Sequence, residues 1–282
     1  MKFNLATAEF FVPDGLPAEE ALARTTHLCF AAHQDDIEIM AANPIITCFQ
    51  QTDKWFTGVV VTDGRGSPRD DLYKDYTDEE MRVVRFKEQK KAAVIGEYAA
   101  QVLLDYPSKA VKDGSDKHAV EDIVQLLRAT RPQIVYTHNL ADKHDTHVGV
   151  ALKVIEAVRQ LPKDEQPQHL YGCEVWRDLD WLTDSDKVPF DCSAHENLQM
   201  ALVSIFDSQI CGGKRYDLAT MGRRKAHATY FASHGTDLTT GLTYGMDFTP
   251  LMADPGEDPG RYVQEYIQRF AQEVAERIVR LS

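Results

Sequence analysis

Two short segments of the sequence concentrate imidazole and carboxylate side chains at close spacing. Ala32–Glu38 reads AHQDDIE, and Asn139–His147 reads NLADKHDTH. A catalytic zinc ion typically takes three protein ligands from histidine and carboxylate groups and keeps a further position for water. A His and an Asp three residues apart at a strand-to-helix turn can point into the same space, and a His at the start of the next helix can close the set. The spacing therefore predicts a metal site of His33, Asp36 and His147.

Two further side chains lie beside these predicted ligands. Asp35 is adjacent to a ligand but is not needed for coordination, which suits a general base that takes a proton from water. His144 is suited to stabilise an oxyanion or to protonate a leaving amine. Each segment alone also fits an ordinary structural role, since aspartates at these positions can cap a helix. The prediction therefore depends on the two segments meeting.

The apolar pattern of the chain indicates how they would meet. Stretches with apolar residues three to four apart predict crossover helices over Asp78–Tyr98, Ala119–Ala129 and Val148–Val158. Their alternation with strand-like runs predicts an α/β fold, with a Rossmann-like, mainly parallel sheet flanked by helices. The five strand-like runs are His27–Ala32, Trp55–Val61, Gln101–Tyr106, Gln133–His138 and Glu174–Leu182.

The order of these strands decides where the two segments lie. In a doubly wound sheet the ligand site lies outside the carboxyl ends of the strands, where the strand order reverses. With the common order 3-2-1-4-5, the first and fourth predicted strands flank that point. The segments that follow these two strands would then face one crevice.

The last third of the chain reads as additional C-terminal helices. The pattern is helical from Asn197 to about Phe231, and the following segment predicts a loop with one short strand. Residues 253–260, ADPGEDPG, predict a linker to a helix over 261–281, and we treat 1–282 as a single domain. This helix either packs on the body or meets another subunit of a homo-oligomer. Its apolar stripe is Ile267, Phe270, Val274, Ile278 and Leu281.

Composition excludes several classes of function. With 31 Lys and Arg against 44 Asp and Glu, the net charge of −13 disfavours nucleic acid and anionic membrane surfaces as partners. No apolar run approaches the roughly 18 residues of a membrane span, and we expect a cytoplasmic protein. Its five cysteines form no C-x-x-C pair, which favours reduced thiols.

Several motifs, most of them within the first 150 residues, are similar to the pattern of one enzyme family. AHQDDIE is similar to an A-H-P-D-D signature followed by an acid, and HDTH at the end of the second segment is similar to H-x-D-H. Thr62–Ser67, the R-x-x-E of Arg85–Glu88 and the pair Ser208-Gln209 are similar to further features of that pattern. By these motifs the chain resembles the PIG-L (LmbE-like) family of metal-dependent N-deacetylases.

The resemblance implies a zinc ion and hydrolysis of an N-acetyl group, usually on a glucosamine derivative. Residue by residue, it implies metal ligation by His33, Asp36 and His147. It also implies that Asp35 is the general base and that His144 assists the tetrahedral intermediate. We therefore expect an amidohydrolase that deacetylates a small N-acetylated amino sugar, with one Zn²⁺ per chain. Fe²⁺ or Mn²⁺ stays open as the native metal.

Other side chains are candidates for contacts with the substrate. Arg65, in the loop after the second predicted strand, is suited to bind an oxyanion or a hydroxyl group. For Arg85 the resemblance implies a substrate-binding or buried structural role. Trp176 and Trp181 are most simply core residues, but they could also line a sugar platform.

The chain departs from the family pattern at three positions. Gln34 stands where proline is usual, and Ile37 separates Asp36 from the next acid. Thr146 stands where an aspartate commonly orients the neighbouring histidine. Asp142 and Asp145 lie close by, and the group that orients the histidines is left open.

Two other functions fit part of the same residues. Two histidines and a carboxylate can hold iron(II) as the facial triad of an oxygenase, and His33-Gln34-Asp35 with a distant histidine has that spacing. Such oxygenases typically have a double-sheet β fold, which the strand and helix alternation disfavours. The third hypothesis is a non-catalytic relative that binds a metal or a sugar. Such a protein would not need the spare carboxylate of Asp35 beside the ligands.

Overall fold

One eight-stranded sheet runs through the centre of the protein. The computed structural model describes all residues from Met1 to Ser282. The strand order is β1-β4-β3-β2-β5-β6-β8-β7, in which β4, β3, β2, β5 and β6 are parallel and β1, β8 and β7 pair antiparallel at the edges. The strands are β1 Glu9–Phe11, β2 His27–Ala31, β3 Phe56–Thr62, β4 Ala100–Tyr106, β5 Ile134–His138, β6 His169–Cys173, β7 Val188–Asp191 and β8 Leu242–Asp247.

Helices cover both faces of this sheet. They are α1 Ala18–Ala23, α2 Asp36–Met40, α3 Ala42–Cys48, α4 Asp78–Ile95, α5 Ser108–Lys112, α6 His118–Thr130, α7 Asp145–Arg159, α8 Glu196–Ser204, α9 Asp207–Ile210, α10 Tyr216–Tyr230, α11 Thr249–Ala253 and α12 Pro259–Leu281. Alternate residues of β2 enter different layers, with Leu28 and Phe30 on one face and Cys29 and Ala31 on the other. Because both faces are covered, β2, β3 and β4 are buried along their whole length.

The predicted α/β class is confirmed, and so is the assumed order of the parallel strands. The first four predicted strands correspond to β2, β3, β4 and β5, and the three predicted crossover helices correspond to α4, α6 and α7. The order β4-β3-β2-β5 is the predicted 3-2-1-4, and β6 takes the place expected for the fifth strand. The strand order therefore reverses between β2 and β5, as the prediction of the crevice requires.

The fifth predicted strand was wrong in position. The parallel strand is His169–Cys173, and Glu174–Leu182 forms a loop beyond its carboxyl end. The side chain of Glu174 holds this loop, because its two oxygens accept the backbone N–H groups of Leu179 at 2.5 Å and Tyr244 at 2.9 Å. Leu179 and Leu182 are apolar because this loop buries them, although they are not in a strand.

The C-terminal helix packs on the body over its first turns only. Tyr262, Val263 and Tyr266 are buried, whereas the later part of the predicted apolar stripe is largely exposed. Ile278 is 60% exposed and Leu281 is 77% exposed. No helix is long and apolar enough to span a membrane. All five cysteines are free.

Candidate metal centre

The two predicted segments meet at the carboxyl ends of β2 and β5. The first connects β2 to α2, and the second connects β5 to α7. Asp35 lies in a left-handed backbone conformation with φ of 93°, which is strained for a residue with a side chain. Helix α2 begins at Asp36, directly after this turn. The side chain of Asp35 contacts Arg85.

Three of the predicted ligand atoms form a nearly equilateral triangle. His33 Nδ1 lies 3.2 Å from Asp36 Oδ2 and 3.2 Å from His147 Nε2. The third edge, from His147 Nε2 to Asp36 Oδ2, is 3.3 Å. Bond lengths of about 2.0–2.1 Å on a tetrahedral zinc ion place two ligand atoms about 3.3–3.4 Å apart. The size of the triangle therefore fits one tetrahedral metal ion with an open position.

The charges of this cluster also favour a cation. Burial opposes ionisation of Asp36, but the contacts with His147 and His33 outweigh it and hold its pKa well below the usual range. His147 and Asp36 are nearly inaccessible, and His33 is part-buried. Two overlapping groups of side chains are close enough to share an ion, namely His33, His144 and His147, and Asp36, His138 and His147.

His138 is a member of this cluster that the sequence analysis missed. It ends β5, its ring stacks on that of His147 at 3.9 Å, and its Nε2 lies 3.5 Å from Asp36 Oδ2. The same Nε2 accepts the backbone N–H of Ala32 at 2.8 Å, so its lone pair is already used. His138 therefore joins β5 to the start of the first segment. The sequence could have indicated His138 as a site residue, because it lies at the carboxyl end of the fourth predicted strand, where ligand sites are expected.

Asp142 orients the buried histidine of the triangle. Its Oδ2 lies 3.4 Å from His147 Nδ1 and accepts the backbone N–H of Trp176 at 3.1 Å, and its Oδ1 accepts the backbone N–H of His144 at 3.0 Å. A proton on His147 Nδ1 leaves the Nε2 lone pair facing the other two ligand atoms. Asp142 therefore supplies the orienting carboxylate that the sequence analysis left open.

His144 lies beside the triangle but is held differently. Its ring centroid is 4.9 Å from that of His33 and 4.6 Å from that of His147. Burial and the two neighbouring imidazoles lower its pKa to about 4. Its Nδ1 is buried and has no hydrogen-bond partner among the protein atoms. With Thr146 at the position where an aspartate is common, no carboxylate orients this ring.

Asp35 and Arg85 form a buried pair on another side of the cluster. Arg85 Nη2 lies 3.2 Å from Asp35 Oδ2 and also donates to the carbonyl oxygen of Gln34. Burial raises the pKa of Asp35 to about 7, against the attraction of the Arg85 guanidinium. The structure thus places Asp35 next to the predicted ligands without making it one of the three triangle atoms.

Arg65 does not lie at the cavity, contrary to the substrate-binding prediction. Its guanidinium contacts three carboxylates, Asp63 at 3.0 Å, Glu79 at 2.8 Å and Asp105 at 3.3 Å. The following loop residues Gly66 and Ser67 line the cavity instead. The side chain turns away because the carboxylates offer it stronger partners than solvent does.

A cavity of about 440 Å³ opens over the cluster, and His33, Asp35, Asp36 and His144 line it. Arg85 and Gln209 also line it and carry donors that find no acceptor among the protein atoms. These donors are Nε and Nη1 of Arg85 and Nε2 of Gln209, in side chains that are almost completely buried. Buried donors without a partner are costly, so their presence beside the cavity marks these two side chains as candidates for a role in the site. Trp176 lines the same cavity, whereas Trp181 packs against Phe270.

Fold and site together define an α/β protein with a candidate metal centre at the reversal of its strand order. The sequence comparison agrees, because residues 28–158 match the family described as PIG-L, GlcNAc-PI de-N-acetylase. The match covers a little under half of the chain, and it confirms the resemblance to this family over those residues. The matched residues include every side chain of the triangle, together with Asp35, Arg85, Asp142 and His144.

Solved structures share the fold at low sequence identity. A conserved protein from Thermus thermophilus is 18% identical with a TM-score of 0.60, covering 82% of this chain and 98% of its own. The N,N'-diacetylchitobiose deacetylase from Pyrococcus horikoshii is 16% identical with a TM-score of 0.61, covering 82% and 86%. A 4-carboxy-2-hydroxymuconate hydratase from Pseudomonas putida is 14% identical with a TM-score of 0.60, covering 80% and 96%.

These structural neighbours establish the fold alone. One is named a deacetylase and another a hydratase, so the same architecture serves two reactions. A search of curated proteins found no matching relative. The function must therefore be argued from the side chains of the site.

Proposed function

We propose that this protein is a zinc-dependent hydrolase that removes the N-acetyl group from a small amino-sugar substrate of the N-acetylglucosamine type. The observation that carries the proposal is the triangle of His33 Nδ1, Asp36 Oδ2 and His147 Nε2, with edges of 3.2, 3.2 and 3.3 Å. It lies in the wall of a cavity of about 440 Å³, a size suited to a small molecule. The PIG-L family domain supports the same reaction class.

These three residues would hold the metal. When bound, it would polarise the acetyl carbonyl group and lower the pKa of a water molecule towards about 7. Asp142 keeps the Nε2 lone pair of His147 directed into the triangle. The donor set of two imidazoles and one carboxylate fits zinc, and Fe²⁺ and Mn²⁺ accept the same ligands.

Asp35 is the general base in this proposal. It lines the cavity next to Asp36, and its carboxylate is held by Arg85 Nη2 at 3.2 Å. A carboxylate fixed in this way is oriented to take the proton of the attacking water. His144, on the other side of the triangle, donates an N–H hydrogen bond to the oxyanion of the tetrahedral intermediate, and the proton that Asp35 takes from water passes to the departing amine.

Arg85 and Gln209 bind oxygen atoms of the substrate. Both side chains line the cavity, and sugar hydroxyl groups accept hydrogen bonds from guanidinium and amide N–H groups. For Arg85 this joins both predicted roles, since its guanidinium is held by Asp35 at 3.2 Å and Glu88 at 3.8 Å and also lines the cavity. Arg65 has no part in substrate binding, because its guanidinium is neutralised by carboxylates.

The alternatives have less support. A facial triad through His33 and Asp35 needs Asp35 to share an ion with the histidines, whereas its carboxylate is paired with Arg85. The sheet is also flanked by helices on both faces, unlike the double-sheet oxygenases. A binding protein without activity would not need a strained, buried carboxylate beside the ligands.

We further propose a single cytoplasmic domain comprising residues 1–282.

Metal analysis and acetate release on the same samples test the proposal. Wild type is compared with His147→Ala and with His234→Ala, a control histidine in an exposed loop. We expect one zinc ion per wild-type and control chain and acetate release from N-acetylglucosamine conjugates, with both lost in His147→Ala. Metal retained by His147→Ala would refute the ligand set. Zinc bound by wild type without any acetate release would refute the deacetylase.

A further inference from the structure

The wall of the cavity beyond His144 is built around Trp176. The Trp176 ring lies 6.5 Å from that of His144 at an interplanar angle of 21°, and Tyr216 meets its edge at 6.0 Å. Its backbone N–H donates to Asp142, the same carboxylate that orients His147. Trp176 is therefore fixed relative to the reaction centre. A sugar ring that extends from the acetamide group past His144 meets this aromatic face.

Two lysines approach the same ring. Lys214 Nζ lies 5.1 Å from the Trp176 ring centroid, and Lys143 Nζ lies 5.8 Å from it. Neither ammonium group has a carboxylate within 4.0 Å, although the protein carries a net charge of −13. Arg65 shows the contrast, because three carboxylates surround it.

Two more cations line the cavity itself. Arg223 projects from α10 on the face that also carries Tyr216 and Thr220, and its Nη1 donates to the backbone oxygen of Val175 at 2.6 Å. Lys112, at the end of α5, lines the cavity as well. The acidic side chains in the lining are those of Asp35 and Asp36, both in the metal-site cluster. The carboxylates of the lining are therefore confined to the metal-site cluster, where Arg85 pairs with Asp35, whereas Arg223 and Lys112 are further cations of the lining.

We propose that the substrate carries an anionic substituent, which Lys143, Lys214 and Arg223 bind while the sugar ring stacks on Trp176. This inference rests on the proposed function, since it assumes that the acetamide group lies at the triangle. Phosphate and carboxylate groups both have the required chemistry, because each accepts several charge-assisted hydrogen bonds. The three cations are exposed or half-buried, so each lysine should increase the affinity for the anion only modestly. Strong preference for an anionic substrate requires all three together.

The test compares neutral and anionic substrates of the same sugar. The substrates are N-acetylglucosamine, its 1-phosphate, its 6-phosphate and N-acetylmuramic acid, which separate phosphate from carboxylate and one position from another. The proteins are wild type, Lys143→Gln, Lys214→Gln, the double variant, and Lys163→Gln as a control of equal charge change in the exposed loop after α7. The readout is the ratio of kcat/KM for each anionic substrate to kcat/KM for the neutral one.

We expect at least one anionic substrate to exceed the neutral sugar by about tenfold or more. Each lysine variant should lower this ratio roughly two- to fivefold, and the double variant about tenfold, with no change in Lys163→Gln. Added salt should lower the ratio for wild type. Equal kcat/KM for all four substrates would overturn the inference and leave the deacetylase standing.

Binding measurements keep the two proposals separate. Calorimetric titration of N-acetylglucosamine 6-phosphate, N-acetylglucosamine 1-phosphate and N-acetylmuramic acid is carried out on the zinc-loaded wild type and double variant. If no substrate is deacetylated, the proposed function fails. An anionic sugar that binds wild type at least about fivefold more tightly than the double variant would still support the anion subsite. Equal or absent binding in both proteins would overturn it.

Discussion

Replacing Asp142 with asparagine tests how the metal centre is organised. The carboxylate serves three donors, with Oδ2 facing His147 Nδ1 at 3.4 Å and the Trp176 N–H at 3.1 Å, and Oδ1 accepting the His144 N–H at 3.0 Å. An asparagine offers one oxygen and one NH₂ group in the same space. Either orientation leaves a buried donor facing another donor.

The magnitude follows from these contacts. A lost partner of a ligating histidine typically lowers metal affinity about 10–100-fold, which corresponds to about 1.4–2.7 kcal/mol. The unpaired buried donor adds a cost of about 1–3 kcal/mol to the free energy of folding. We therefore expect Asp142→Asn to fold, to bind zinc about 10–100-fold more weakly, and to recover acetate release at high zinc concentration.

The assay is competition for zinc with a chromophoric chelator, with thermal unfolding followed on the same preparations. Asp145→Asn is the matched control, because Asp145 is exposed, lies three residues along the chain and loses the same charge. Zinc affinity of Asp142→Asn equal to that of wild type would refute the orienting role of Asp142. An equal loss in Asp145→Asn would assign the effect to net charge.

Three other changes should have separable effects. Asp35→Ala should lower kcat by about 10²–10⁴ with metal content unchanged, and turnover near the wild-type rate would exclude it as the base. Burial raises the pKa of Glu174 from 4.5 to about 7. A raised carboxyl pKa destabilises the folded state as pH rises, because the unfolded chain releases this proton first. The stability of wild type relative to Glu174→Gln, measured by chemical denaturation, should therefore fall by up to about 3 kcal/mol between pH 4.5 and 7, and a constant difference would contradict the burial argument. Ile278→Glu should dissociate any homo-oligomer formed through the exposed stripe of α12, as measured by light scattering against Gln272→Glu, and an unchanged mass above that of a monomer would exclude this face.

The fold could be predicted because its signals are local. The runs that became β2, β3, β4 and β5 are continuous and rich in β-branched or aromatic residues, as strands covered on both faces must be. The fifth parallel strand was misplaced because β6, His169–Cys173, contains no β-branched residue, whereas the following Glu174–Leu182 contains a valine and two tryptophans. Glu174 accepts the two hydrogen bonds that hold this segment as a loop, and one of them comes from Tyr244, 70 residues along the chain.

The site could be predicted as a set of residues but not as a geometry. His33, Asp36 and His147 come together because the strand order reverses between β2 and β5. His138 escaped notice because it was counted as part of a strand, although strand ends at this edge lie at the site. Arg65 was assigned to the substrate because its loop reaches the cavity, and the carboxylates that hold it come from other elements.

The sequence by itself determined the α/β class, four of the five parallel strands and the residue types from which a metal site can be built, because apolar periodicity and ligand chemistry are properties of short segments. The tertiary structure alone decided which atoms face each other. Asp142 rather than Asp145 orients His147, Asp35 turns to Arg85, and Trp176 lies near both His144 and two lysines without carboxylate partners. Each of these choices depends on contacts between residues on different elements, and no local pattern records such contacts.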